Sequence, residues 1–317
     1  MNRFAAPGKA VLWGEYAVLD GAPAMVMAVD RYALCTVEPR SADWLCIARG
    51  MEGRVRLNCE ALLSQPVAAE SPAGVVTAAI RALAVSALPA GAAVTTDTGS
   101  FYSDGNKLGI GSSAAICTAT CAALASFLDA PFSYATALQA HRLLQGTQGS
   151  GIDVAAAFHG GLLRFQNGTA TPVGWPDGLH YQFVWTGNSA RTTDHLGRFR
   201  VWKAGGDQQP LAELRAASEA LFTNPEMAAL HHYRLTLRRF DAAAEVGIYT
   251  GPHEHLDELA ITSQVVYKPC GAGGGDIGVA FSRDPQALHH FRKLAEQNSF
   301  KTLALEIADH GVQPTSQ

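Results

Sequence analysis

Strand-like and helix-like runs of apolar residues alternate along the chain, with glycine gathered at the joins. Residues 24–38, AMVMAVDRYALCTVE, are rich in Val, Met, Tyr and Thr and read as a strand. Residues 73–88 carry Ala, Val and Leu at helical spacing. A second Ala-rich helix is expected from Ala114 to Leu128. Its Cys117, Cys121, Leu124 and Leu128 fall at i, i+4, i+7 and i+11 on one face, so both cysteines read as core. The Gly- and Pro-dense stretch 166–180 reads as a loop and sets a boundary between domains 1–170 and 171–317. Beyond it, YQFVW reads as a strand, followed by helices at about 209–222 and 227–245. Asp284-Pro285 supplies a helix N-cap and first-turn proline, and Leu288, Phe291 and Ala295 form the buried stripe that follows. A last strand, TLALEI, precedes a polar tail.

Composition narrows the class. A chain of 317 residues fits one large or two medium domains, and 48% hydrophobic against 16% charged residues argues against disorder. The formal charge of −4 and the lack of a basic stripe exclude nucleic acid as the main partner. Apolar runs break well before about 18 residues, so no membrane span is expected. The N-terminal stretch has no uninterrupted apolar core of a signal peptide. Six scattered cysteines without a C-x-x-C pair fit reduced thiols, hence a cytoplasmic protein. The 11 histidines form no zinc motif.

Chemistry concentrates in segments whose glycines serve no evident core role. Gly105–Ala115, GNKLGIGSSAA, runs into the Ala-rich helix; it fits either a capped helix start or a phosphate cradle of free N–H groups. Asp153, in QGTQGSGIDVA, either matches a helix N-terminus electrostatically or acts as a general base. In Lys268–Phe281, KPCGAGGGDIGVAF, so many glycines imply backbone approaching a ligand closely. Two glycine loops, an Asp-bearing turn and the early Lys9 make a coherent set for phosphoryl transfer, which needs anion cradles, Mg²⁺, cationic charge and a positioned base.

With APGKAVLWGEYAVLDG at 6–21, KLGIGSSAA at 107–115 and KPCGAGGGDIGVAF at 268–281, the chain resembles the GHMP kinases over nearly its whole length. The resemblance implies an α+β, two-domain fold: an N-terminal domain like ribosomal protein S5 domain 2, then a ferredoxin-like domain, with the active site between. It implies ATP phosphates on Gly109, Gly111, Ser112, Ser113 and Ala114 with Lys107 nearby, and Mg²⁺ on Ser113. It implies catalytic roles for Asp153 as base and for Lys9 as the motif lysine holding negative charge. Within the family, GEYAVLDGAPAMVMAVDRY, QGTQGSGIDVA and WTGNSARTTDHLG look like the branch acting on 5-phosphomevalonate. Tyr16, Arg142, Ser150, Ser189, Arg191, Gly273 and Gly274 are then the expected substrate contacts. Tyr16 stands where the mevalonate branch has His, and Arg142 where it has a Mg²⁺-binding Glu eleven residues before the base. Lys107, Arg142 and Arg191 are candidates to meet the substrate phosphate. Cys270 reads as a small loop-packing residue. Mevalonate itself as substrate, and a non-catalytic ligand sensor, stay as alternatives. No nucleic acid or membrane partner is expected, and both monomer and homodimer remain open.

Overall fold

The computed structural model describes residues 2–50, 53–146, 149–189 and 192–315. Its strands are β1 (Asn2–Trp13), β2 (Ala24–Pro39), β3 (Asp43–Arg49), β4 (Arg54–Leu57), β5 (Gly91–Asp97), β6 (Tyr102–Ser103), β7 (Asn106–Lys107), β8 (Leu162–Gln166), β9 (Thr169–Pro172), β10 (His180–Trp185), β11 (Val266–Pro269), β12 (Ile277–Ser282), β13 (Lys301–Leu303) and β14 (Gln313–Pro314). Its helices are α1 (Cys59–Ser64), α2 (Gly74–Ala82), α3 (Ser112–Leu128), α4 (Tyr134–Gln145), α5 (Ile152–His159), α6 (Thr192–Gly205), α7 (Gln209–Thr223), α8 (Met227–Ala244), α9 (Pro252–Thr262) and α10 (Pro285–Gln297). Among the described residues no helix is long and apolar enough to cross a membrane.

Among these residues the first sheet has eight strands, in the order β14-β1-β2-β5-β3-β4, with β8 and β9 added beside β2. The strand predicted over 24–38 is β2, whose length lets it pair with β1 along one edge and with β5 and β8 in turn along the other. β1 is buried almost throughout because both of its faces are covered. Ala10 and Leu12 enter the main core, while Val11 enters a smaller one with Ile152, Ala155 and Ala156 of α5. α3 packs on β1 and β2 and is flanked by α2, α4 and α5. It is buried on nearly every side from Ala114 to Ala125, which is why its small residues are needed all round. Cys117 and Cys121 lie within it, and burial pushes the Cys117 thiol up to about 12.

The second sheet is antiparallel, in the order β11-β12-β10-β13. Read from β10, the chain runs strand, helices, strand, strand, helix, strand, with β10 and β12 central: the split βαβ arrangement of ferredoxin-like domains. Asp284 accepts a hydrogen bond from Gln286 N, and Leu288, Phe291 and Ala295 are the buried stripe of α10, as the pattern predicts.

The structure departs from the sequence reading at the expected boundary and at the chain's end. Residues 166–172 are not a loop: β8 and β9 form a hairpin turning on Asn167 and Gly168, both at positive φ, so the first sheet continues through Pro172. That geometry is the two-residue turn for which Asn-Gly is suited. TLALEI is strand only over β13; the chain then returns to the first sheet, where Ile307 bridges Val29 and β14 pairs with β1.

Candidate active site

The turn between β7 and α3 lies across β1. Lys9 N donates to Ile110 O (2.8 Å), and Gly109 and Gly111 both take positive φ. A Cβ on Gly111 would stand 2.9 Å from Lys9 Cγ, so only glycine lets the turn lie over the lysine stem. Gly111 is the N-cap residue of α3 and offers no side-chain acceptor, which leaves the first N–H groups of a 17-residue helix uncapped by side chains. Uncapped amides at the positive end of a helix dipole form an anion site. In front of them opens a cleft of about 670 Å³, bounded by Lys107, Ser112, Ser113, Ile116 and Tyr102 and by the 69–72 and 98–99 loops. That size suits a small molecule. Ala114 faces inward, packed with Ala137 and Val154.

Lys9 extends from β1 to Asp153 in the first turn of α5, with Nζ 3.4 Å from Oδ1; the lysine side chain is 13% exposed and the aspartate 36%. Burial works to lower the Lys9 pKa, but Asp153 and then Asp276 outweigh it, and the net shift is upward. The ammonium therefore stays charged. Beside this pair lies a second cavity lined by Tyr16, Arg142, Ser150, Gly271 and Ala272, with Val18, Leu19, Leu138 and Leu196 as its apolar wall. Ser150 Oγ accepts from Ile152 N (3.3 Å), shaping the turn that enters α5.

The third glycine segment closes this cavity from the second sheet. Tyr16 OH donates to Ala272 O (2.6 Å), and its ring packs against Phe199 and Phe240. Gly271 and Ala272 are the residues of the loop that line the cavity. Gly273 and Gly274, expected at the substrate, turn the other way: a Cβ on Gly273 would meet Ile248 Cα at 2.6 Å, and one on Gly274 would meet His195 Cε1 at 2.4 Å. Their glycine identity answers to protein packing. The surface they rest on is shaped by Asp241, whose carboxylate accepts from the amides of Gly247, Ile248 and Tyr249. His253 holds the far end of the loop. Its Nε2 donates to the Gly275 carbonyl (2.9 Å), so Nδ1 accepts from Tyr267 OH (2.7 Å).

Other expected residues sit apart. Lys107 faces the nucleotide-sized cleft, and its carbonyl accepts from Ser189 Oγ (3.1 Å); Ser189 lines neither cavity. Arg191 lies outside the described residues. Cys270 is buried, and burial pushes its thiol up to about 11, which fits a packing residue.

Sequence reasoning missed two arrangements. Glu15, 3% exposed, pairs with the buried Lys268 (Oε1 to Nζ 2.5 Å) and accepts from Tyr233 OH (2.7 Å), joining the 6–21 motif to the 268–281 motif. Both residues stand inside the quoted motifs, yet no spacing rule links positions 253 apart. Also unforeseen, Ser113 Oγ lies 3.0 Å from His141 Nε2 and accepts from Gln145 Nε2. The helix side facing the serine thus carries His141 and Gln145, and both line the second cavity together with Arg142.

Residues 74–161 match the model of the GHMP kinases N terminal domain. The chain is 30% identical, over 97% of both lengths, to a phosphomevalonate kinase of Streptomyces sp. (strain CL190). Among solved structures, a Lin0012 protein from Listeria innocua superposes with a TM-score of 0.83 at 21% identity, covering 100% of both chains. A Streptococcus pneumoniae phosphomevalonate kinase, in complex with phosphomevalonate and AMPPNP, superposes with a TM-score of 0.78 at 19% identity, over 97% of this chain and 100% of that one.

Proposed function

The chain belongs to the GHMP kinases, and on that premise we propose that it transfers the γ-phosphoryl group of ATP to 5-phosphomevalonate, giving the 5-diphosphate and ADP. The observation that carries this reading is the Lys9–Asp153 pair, set beside the second cavity while the Lys9 stem lies under the turn that opens α3.

In this reading the cleft before α3 takes the nucleotide, with its phosphates on the uncapped amides after Gly111. The second cavity takes the substrate, its methyl-bearing carbon chain against Val18, Leu19, Leu138 and Leu196. Lys9 and Arg142 supply positive charge to the substrate phosphate. An oxygen of that phosphate attacks the γ-phosphorus as the bond to the β–γ bridging oxygen breaks, and ADP leaves with the electron pair. Asp153 accepts the proton where the attacking oxygen carries one and otherwise fixes Lys9. Because the attacking phosphate is largely ionised near neutrality, positioning and charge neutralisation carry most of the catalysis.

The donor set also fits Mg²⁺. Ser113 hydroxyl has two lone pairs, and Gln145 occupies one. With His141 as acceptor of the hydroxyl proton, the other lone pair remains for a metal ion arriving on the nucleotide phosphates. Bound there, the ion would neutralise phosphate charge during transfer. Eleven residues before Asp153 stands Arg142, so the protein supplies no second carboxylate at that position.

The test is ADP release from Mg-ATP by the purified protein, with mevalonate and 5-phosphomevalonate compared side by side. Preference for the phosphorylated substrate is expected. Preference for mevalonate would overturn the substrate assignment, and ATP binding with neither substrate turned over would overturn both.

A further inference from the structure

We propose that His141 and Gln145 are positioning residues that orient the Ser113 hydroxyl toward the nucleotide's metal ion, in place of a carboxylate ligand from α4. The inference rests on the metal-binding role proposed for Ser113. A serine in the first turn of a helix ordinarily turns among staggered rotamers or bonds to nearby backbone. Ser113 instead bonds to side chains. Two side chains four residues apart, on one face of α4, meet its single oxygen.

The two partners differ in what they can give. Gln145 Nε2 can only donate, and it takes one lone pair of Oγ. His141 Nε2, at 3.0 Å, then accepts the hydroxyl proton. This polarity leaves one lone pair for a cation. The opposite polarity, with both partners donating, would fill both lone pairs and shut the metal out. Both partners also line the substrate cavity, whereas Ser113 lines the nucleotide cleft, so the three residues form the wall between the two spaces. Loss of either partner frees the hydroxyl to rotate without emptying the phosphate cradle, whose amides belong to the backbone of α3.

The experiment is calorimetric titration of the full chain with AMPPNP, once with Mg²⁺ and once with EDTA, for wild type, His141→Ala, Gln145→Ala and His141→Gln. Removal of a partner that orients a metal ligand lowers metal affinity by roughly 10–100-fold. A weakening of that order is expected for both alanine variants with Mg²⁺, with affinity in EDTA unchanged within about twofold. His141→Gln, which restores an acceptor, should recover most of the loss. Equal weakening in EDTA would mean that the pair merely shapes the turn, and unchanged Mg²⁺-AMPPNP binding would mean that it orients nothing; either result overturns the proposal. Wild-type binding that ignores Mg²⁺ would remove the Ser113 premise itself, a failure that the wild-type titration alone reveals. Should His141→Ala fail to fold, Gln145→Ala and His141→Gln still decide the matter.

Discussion

At the scale of single residues, Lys9 is the charge on which turnover depends. Lys9→Ala should lower kcat about 10²-fold or more while thermal unfolding stays near wild type, since the aspartate left behind is partly exposed. With its pKa raised above the ordinary 10.5, Lys9 should impose no alkaline loss of activity below about pH 10, which a pH–rate profile checks. Gly109→Ala tests the fit of the phosphate turn: at φ +74 its Cβ would lie 2.0 Å from Asp276 Cγ, so activity should fall steeply. His253 gives a stability signature. Burial, with Lys268 adding to it, outweighs the bond to Gly275 and holds the imidazole near 4 against an ordinary 6.5. Between those values the unfolded chain binds more protons. Stability is therefore complete above pH 6.5 and falls by up to about 3 kcal/mol as pH drops to 4. Urea unfolding across that window should lose this slope in His253→Gln. Lys9, Ser113 and Asp153 were legible through the family motifs in which they stand; by themselves the serine also fitted a helix cap and the aspartate a helix dipole. His141 and Gln145 were not legible, because their partner is fixed by where α4 packs on α3 and not by sequence spacing.

At the scale of elements, long periodic stretches were legible and short ones were not. α8 and α10 carry their spacing openly, and Asp284-Pro285 marks the start of α10 in the sequence itself; α3, buried on nearly every side, was legible from its run of alanines. α6 was missed because its apolar residues make no stripe. The β8–β9 hairpin is masked in the sequence although Asn167-Gly168 suits its turn, because the Gly- and Pro-rich residues around it read as one loop. Between α8 and α9, Asp241 replaces regular structure by gathering three consecutive amides. Asp241→Ala should destabilise the fold by about 3 kcal/mol in denaturant unfolding, since hydrogen bonds to charged groups are worth roughly 1.5–3 kcal/mol each but are not additive. It should also raise KM for the substrate, because the residues it shapes seat Gly273 and Gly274, next to the Gly271 and Ala272 that line the substrate cavity.

At the scale of the whole molecule, the two sheets meet through a buried charge. Glu15 follows β1, Lys268 lies in β11, and Tyr233 reaches the pair from α8. Lys268→Met would leave a carboxylate buried without its partner and should cost about 3–5 kcal/mol. Adding Glu15→Gln should return a large part of it, and a double-mutant cycle in urea measures the coupling. The α+β class and the ferredoxin-like second half agree with the family resemblance. The return of the chain's last segment to the first sheet did not show in the sequence, because β14 is too short to carry a pattern.

That return has a consequence for how the protein is made. β1 leaves the ribosome long before β14, yet Phe4 faces Pro314 and Ala28 receives the amide of Ala308. At roughly 5–20 residues per second, those partners emerge some 15–60 s later. Throughout that interval the nascent first sheet carries open backbone donors and acceptors, a template for pairing with neighbouring chains on the same polysome. Synthesis of this kinase thus contains an interval of open sheet edge that closes only when β14 has been made.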